Sequence, residues 1–179
     1  MRAAFPLLLL FIGSAAPAWE FPGDRFTRFS GFDLGRTTLA DIQTRFGASR
    51  VHESGDASEY LAEICYAAPF GEARFMSPEM GGGIYLLGYA IDGTKSKSKC
   101  PTSRHALPDS VAGLKLGMTR HRFQSILGTR IDWTQDTGNA RFEYKTTSSQ
   151  ASLDTTISVI GTFDKDRLIK FIVWKIEST

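Results

Sequence analysis

A short pattern occurs twice in this sequence, and it restricts the possible folds more than any other feature. The first copy runs from Thr38 to Gly47, and the second runs from Thr119 to Gly128. Both read Thr, three residues, Ile or Phe, Gln, Thr or Ser, one residue, Phe or Leu, Gly. A threonine hydroxyl accepts hydrogen bonds from the free N–H groups at a helix start, and a left-handed glycine ends a helix. The pattern therefore predicts two short capped helices and indicates a duplicated unit.

Strand-like segments follow each predicted helix. They comprise residues 59–67, 73–77 and 83–91 after the first helix, and residues 140–146, 155–163 and 167–177 after the second. Before the first copy, Asp24 and the spacing of Phe26, Phe29 and Phe32 predict one more short helix, with residues 109–114 as its shorter counterpart. Helices followed by antiparallel strands are typical of the α+β class. We expect a tandem duplication of a helix-loop-helix plus antiparallel β-sheet unit.

The N-terminal segment has the features of a signal peptide. Arg2 precedes an apolar run over residues 3–12, and Ala16-Pro17-Ala18 fits a cleavage site. The run is shorter than the roughly 20 residues that a spanning helix needs. We therefore expect residues 1–18 to be removed, with no integral membrane span and no lipidation cysteine near the cut. The predicted divisions are a first α+β repeat over 19–100, a linker over 101–112 and a second repeat over 113–179.

The chain contains two cysteines, Cys65 and Cys100. In an exported protein, two cysteines are most simply read as one disulfide bond. The competing interpretation, a reactive thiol, has neither a CxxC motif nor a helix-start position to support it. We expect a Cys65–Cys100 disulfide within the first repeat and a periplasmic or secreted location.

Charge and motif content argue against several functions. When Arg2 of the predicted signal peptide is left out, the chain has 20 basic and 19 acidic side chains. This balance gives no reason to expect a nucleic-acid partner. His52, His105 and His121 are scattered, and HExxH, GxSxG and P-loop motifs are absent. We expect no metal, no cofactor and no catalytic residue, so the protein is predicted not to be an enzyme. A triad assembled only by folding stays open at this stage.

The last predicted strand is apolar on both faces, with Ile169, Phe171 and Val173 on one side and Ile172 and Trp174 on the other. Because helices can cover only one side of a sheet, the second side must meet either the sister repeat or a partner. Both alternatives remain open. The side chains predicted to bind a partner protein are Trp174, Ile172, Lys170, Tyr144, Phe142, Tyr85 and Tyr89.

The chain resembles the β-lactamase-inhibitor-protein-like family, which includes small outer-membrane assembly proteins of the SmpA/BamE type. The resemblance depends on Gly117-Met118-Thr119-Arg120, on the looser copy from Gly35 to Gly47, and on Phe163 to Leu168 followed by Trp174. It implies tandem units whose sheets form a concave face that grips a protein, with Trp174 on that face. One expected disulfide rather than one per repeat departs from the inhibitor, and the lack of a lipidation cysteine departs from the assembly proteins.

These observations predict a non-catalytic secreted or periplasmic protein-binding module. Its partner would be another exported or envelope protein, and its role either inhibition of an exported enzyme or assistance in envelope assembly. The alternative is a carrier that holds a small apolar ligand between the repeats.

Overall fold

The structure is a computed structural model that describes residues 23–94, 99–128, 132–136, 139–150 and 153–178. The predicted signal peptide lies outside these residues. The elements in chain order are β1 (Arg28–Phe29), β2 (Phe32–Asp33), α1 (Leu39–Phe46), β3 (His52–Ser54), β4 (Leu61–Ala68), β5 (Gly71–Pro78), β6 (Gly88–Asp92), β7 (Ser110–Val111), β8 (Leu114–Lys115), α2 (Arg120–Leu127), β9 (Asp132–Asp136), β10 (Asn139–Gln150), β11 (Leu153–Asp164) and β12 (Arg167–Ser178). Short helices and antiparallel strands confirm the α+β class.

Eight of the strands form one antiparallel sheet in the order β3-β4-β5-β6-β12-β11-β10-β9. The four strands that follow α1 occupy one half of the sheet, and the four that follow α2 occupy the other half. The halves join where β6 pairs with β12 in antiparallel register, with Ala90 opposite Ile172 at the centre. The two sets of strands therefore lie side by side and not face to face.

Both predicted helices are present with the predicted ends. In α1, the Thr38 hydroxyl accepts a hydrogen bond from the Asp41 backbone N–H at 3.1 Å, and the Asp41 carboxylate accepts from the Thr38 N–H at 2.9 Å. This reciprocal capping box lowers the pKa of Asp41, mainly through the backbone hydrogen bond from Thr38. Gly47, with φ +104°, ends the helix.

In α2, the carboxylate that accepts from the helix N-terminus comes from a distant part of the chain. Arg122 occupies the third position of α2, so it cannot complete a capping box. The Thr119 hydroxyl accepts from the Arg122 N–H at 3.3 Å, and a carboxylate oxygen of Asp166 accepts from the Arg120 N–H at 3.4 Å. Asp166 belongs to the turn between β11 and β12, where φ is +45° at Lys165 and +67° at Asp166. This tight turn between β11 and β12 therefore also caps α2.

The helix predicted from Phe26, Phe29 and Phe32 is wrong. Residues 24–26 form a single 3-10 turn, and Phe29 and Phe32 pair across the β1–β2 hairpin. Ser30 (φ +50°) and Gly31 (φ +90°) form its turn, and positive φ at both positions is what a type I′ turn requires.

The predicted counterpart over 109–114 is also a hairpin. Val111 pairs with Leu114 across a turn at Ala112 (φ +49°) and Gly113 (φ +87°). The strand predicted over 83–91 begins later, at Gly88. Each helix is therefore preceded by a two-residue hairpin turn, and neither is preceded by a second helix.

The core lies on one face of the sheet, beneath both hairpin–helix segments. Val159, Val173, Tyr89, Phe75 and Ile64 form one row across five neighbouring strands, and all are buried. The first segment contributes Phe26, Phe29, Leu34, Ile42 and Phe46 to this core, and the second contributes Val111, Leu114, Phe123 and Leu127. Both segments cover the same side, which leaves the opposite side of the sheet without a covering layer of described helices.

The predicted disulfide is present and attaches the segment that begins at Cys100 to the sheet. Cys65 of β4 is bonded to Cys100 with their Cα atoms 5.3 Å apart. Beside it, the Ala67 N–H donates to the Pro101 carbonyl at 2.8 Å, and Ala67 forms a parallel bridge with Thr102. Since β3 pairs only with residues 61–63, this segment covers the remaining edge of β4. Unpaired strand edges invite association with other chains, so the disulfide protects the sheet as well as closing a loop.

Among the described residues, no helix has the length and apolar character that crossing a membrane would require.

Candidate protein-binding face

The open face is the side of the sheet opposite the core. At its centre Met76, Ala90 and Ile160 are buried, while Ile172 and Trp174 are half-buried. Side chains alternate along a strand, so Ile172, Trp174 and Ile176 project from β12 on the side opposite Phe171 and Val173. Ile172 faces Ala90 on one neighbouring strand and Ile160 on the other. The face is therefore apolar at the seam between the two halves of the sheet.

Trp174 packs directly against the backbone of Gly88. The two residues are cross-strand partners, and a Cβ atom built on Gly88 would lie only 2.3 Å from a carbon of the indole ring. The absent side chain lets the ring lie against β6. Trp174 is half-buried and Ile176 is 40% exposed, so this part of the strand presents apolar surface to solvent.

A network of charges lies beside the apolar surface. Arg74 donates from Nη1 to Glu63 at 2.7 Å and from Nε to Glu72 at 2.6 Å. Burial disfavours the charged guanidinium, but the hydrogen bond to Glu72 and the charges of Glu63, Glu72 and Asp92 outweigh it and raise the pKa of Arg74. Lys170 extends the network with Nζ 3.3 Å from a carboxylate oxygen of Asp92. The arrangement holds fixed charges of both signs next to the apolar centre.

The predicted binding residues do not all lie together. Trp174, Ile172 and Lys170 share the open face. Tyr85 is 49% exposed, but its backbone bridges to Thr38 beside α1 and lies before β6 begins. The structure therefore does not bring Tyr85 onto the β6–β12 seam.

Tyr89 lies on the opposite, core side of the sheet. Its side chain is fully buried, and its hydroxyl donates to the Phe26 carbonyl at 2.8 Å. The placement of Tyr89 on a binding surface is therefore wrong, because the β6 register turns it toward the hairpin–helix layer. Phe142 and Tyr144 lie in β10, but their side chains are outside the part of the chain that the structure describes.

Sequence reasoning missed several members of the open face, namely Met76, Arg74, Glu63, Glu72, Ile160 and Gly88. The alternation of Glu72, Arg74 and Met76 along one strand was a usable signal that these side chains share a face. Their meeting with Trp174 depends on the β6–β12 pairing, and no local pattern in the sequence encodes that pairing.

Metal chemistry receives no support from the described residues. They contain no group of three or more histidine, cysteine or acidic side chains arranged to hold a metal ion.

Comparison with known proteins adds little. No family model matches the sequence, and no match was found among curated proteins. One crystal structure from Streptococcus mutans, described as a "putative beta-lactamase inhibitor protein", is similar with 12% identity over 79% of this chain and 82% of that chain. Its TM-score is 0.28, which does not establish a shared fold.

Proposed function

We propose that the chain is an exported, non-catalytic protein-binding module that captures its partner on the open face of the sheet. One observation carries this proposal. The core is complete on one side of the sheet, while Ile172, Trp174 and Ile176 present apolar side chains on the other. Half-buried aromatic side chains next to fixed charges are typical anchors of protein interfaces.

We infer further that the module is a duplicated unit. Corresponding contacts precede each helix: the Gly35 N–H donates to the Leu86 carbonyl at 2.7 Å, and the Gly117 N–H donates to the Leu168 carbonyl at 2.8 Å. Bridges of Thr38 with Tyr85 and of Thr119 with Arg167 are matched in the same way. These matches support duplication of one ancestral unit, with repeats at 19–100 and 113–179 and a linker at 101–112.

Duplication accounts for the form of the open face. In the alignment set by Leu86 and Leu168, Ala90 corresponds to Ile172, and these two residues pair at the centre of the seam. A pseudo-two-fold axis would then pass through the seam and relate the two repeats. The last strands of both repeats would form one continuous surface. Neither half alone would provide both Gly88 and Trp174.

Export is supported by the Cys65–Cys100 disulfide, because such bonds persist mainly in oxidising compartments. Together with the predicted signal peptide at 1–18, it supports a partner among exported or envelope proteins. In its narrower form, the proposal is that the protein inhibits an exported enzyme. In its broader form, the protein is an accessory to envelope assembly.

Site-specific photo-crosslinking in the native host tests the proposal. A benzophenone amino acid at position 176 would lie on the open face, and the same group at the exposed position 45 would lie on α1, across the sheet. We expect a discrete protein adduct from position 176 that weakens with Trp174→Ala, and none from position 45. Equal adducts from both positions, or none from position 176, would contradict the proposal.

Native mass spectrometry that finds a bound small apolar molecule would favour the carrier instead.

A further inference from the structure

A cleft of about 570 Å³ lies at one end of the sheet, on the side away from Trp174. The 3-10 turn, the β1–β2 hairpin and the end of β12 form its walls. Four cationic side chains line it, Arg25, Arg28, Arg36 and Lys175, against two acidic ones, Asp24 and Asp33. Its size is in the range of small-molecule sites, and its lining has a surplus of positive charge.

Two of these cations have carboxylate partners among the described residues, and the other two have none there. Arg28 Nε lies 2.8 Å from a carboxylate oxygen of Asp33, and Lys175 Nζ lies 2.5 Å from Glu177. Arg25 donates to the Ile126 carbonyl and lies over the Phe26 ring, with 4.7 Å between its Cζ atom and the ring centroid.

The Arg36 side chain is the second cation without a carboxylate. Its backbone N–H donates to the Asp33 carbonyl at 3.2 Å, but its guanidinium makes no ion pair with any described residue. Among the described residues, neither Arg25 nor Arg36 has a carboxylate that neutralises its charge.

The wall that carries Arg36 is held in place before any ligand arrives. The Asp33 carbonyl accepts from the N–H groups of both Arg36 and Thr37, and the Thr37 hydroxyl accepts from the Asp33 N–H at 3.0 Å. Gly35 has φ +83°, and a Cβ atom there would lie 3.0 Å from Lys175 Nζ, so the turn and the lysine are closely packed. A fixed wall reduces the ordering cost of binding.

The charges are not required by the architecture. In the corresponding hairpin–helix segment, Ser110 stands where Arg28 stands in the first. The N–H of Leu86 donates to the Thr37 carbonyl, and that of Leu168 donates to the Met118 carbonyl. Met118 therefore corresponds to Thr37, and Arg36 is an extra residue of the first segment. The second segment forms the same hairpin and the same capped helix without these arginines. The arginines of the cleft therefore belong to the first hairpin–helix segment, whereas β12 contributes Lys175 from the other half of the sheet.

We propose that this cleft binds a phosphate group of a small or lipid-borne ligand. Guanidinium groups match phosphate oxygens with paired hydrogen bonds, and Arg36 lines the cleft without a carboxylate partner among the described residues. The site is independent of the open face, because Lys175 and Trp174 project from opposite sides of β12.

Calorimetric titration of the full chain with inorganic phosphate, at matched ionic strength in sodium chloride, tests the site. We expect saturable binding that Arg36→Ala weakens by about tenfold, the loss expected for one charge-assisted contact. Arg45→Ala is the matched control, since Arg45 is an exposed arginine on α1 outside the cleft and its removal should leave the affinity unchanged. Thermal unfolding of both variants should coincide with that of the wild type.

Vesicle co-sedimentation distinguishes the source of the phosphate. Phosphatidylglycerol vesicles that sediment the wild type, but not Arg36→Ala, would support a lipid headgroup, with phosphatidylcholine vesicles as the reference. Binding of inorganic phosphate without vesicle binding would support a soluble ligand. Absence of saturable phosphate binding, or equal loss in Arg36→Ala and Arg45→Ala, would overturn the proposal.

Discussion

At the scale of single residues, Gly88 and Trp174 depend on each other. The indole ring occupies the space that any side chain at position 88 would need, since the built Cβ lies 2.3–2.9 Å from three ring atoms. The glycine therefore sets the position of the most prominent aromatic residue on the open face. Sequence analysis could identify Trp174 as a candidate, but it could not identify the glycine beneath it.

A double-mutant cycle measures this dependence. Gly88→Ala should lower the free energy of unfolding by about 1–3 kcal/mol, because the new methyl group displaces the ring. In a Trp174→Ala background the same change should cost much less, since the clash is gone. Denaturant unfolding of the four proteins provides the measurement. Equal costs in both backgrounds would mean that the ring does not lie where the structure has it.

Two buried tyrosines lower the free energy of unfolding at alkaline pH. The Tyr66 hydroxyl donates to the Gly47 carbonyl at 2.6 Å, and burial raises the pKa of Tyr66 from 10.0 to about 12. Burial also raises the pKa of Tyr89. Between pH 10 and the raised pKa, the unfolded chain releases these protons while the folded chain keeps them. The tyrosine contribution is therefore complete below pH 10 and is lost as the pH rises beyond it.

Unfolding free energies at pH 8 and pH 11 test this effect. The wild type should lose stability between the two values, by up to roughly 1.4 kcal/mol per pH unit for each group. Tyr66→Phe should be less stable at pH 8, because Gly47 loses its hydrogen-bond partner, but should show a smaller further loss at pH 11. A variant whose loss equals that of the wild type would show that Tyr66 does not titrate as described.

At the scale of elements, local signals predicted what local chemistry determines. Both helices begin at their threonine and end before their glycine, because hydrogen bonds within a few residues satisfy the free backbone groups there. The phenylalanine spacing failed for a related reason. Ser30-Gly31 is a stronger local signal for a hairpin turn than three aromatic residues are for a helix, and the turn buries Phe29 completely. In the second half only the glycine of this signal is present, at Gly113, and Ala112 adopts φ +49° without a side chain that favours it.

The disulfide is the element-scale feature with the clearest stability effect. Replacement of both Cys65 and Cys100 by serine should reduce the free energy of unfolding by about 2–4 kcal/mol, since the unfolded chain regains the freedom of a closed loop. The segment at Pro101 and Thr102 should also leave the edge of β4 more often. Denaturant unfolding and light scattering measure the two effects. Unchanged stability and unchanged self-association would contradict both.

A matched control separates the edge effect from the loss of the bond. Substitution of Pro101 by glycine keeps the disulfide and the carbonyl that accepts from Ala67, so it should retain most of the stability. Self-association that appears only in the double serine variant would link aggregation to the disulfide that holds the segment against β4.

At the scale of the whole molecule, the β6–β12 pairing determines what the open face is. It joins two sets of strands into one sheet, places Ile172 against Ala90, and leaves both hairpin–helix layers on the same side. The sequence showed that the last strand is apolar on both faces but left two explanations open, namely a sister repeat or a partner. The pairing excludes face-to-face packing of the described strands. The meeting of β6 and β12 could not be predicted locally, because 78 to 86 residues separate the paired positions along the chain.

The most direct test of the central claim is affinity capture from envelope extracts of the native host. The baits are the wild type, Trp174→Ala and Val51→Ala, the last removing a partly exposed apolar side chain outside the sheet. We expect the wild type and Val51→Ala to retain the same protein, and Trp174→Ala to fail to retain it. In a separate denaturant titration, Trp174→Ala should still unfold cooperatively, which shows that it is folded. Equal retention of that protein by all three baits would contradict the claim that the open face is the binding surface.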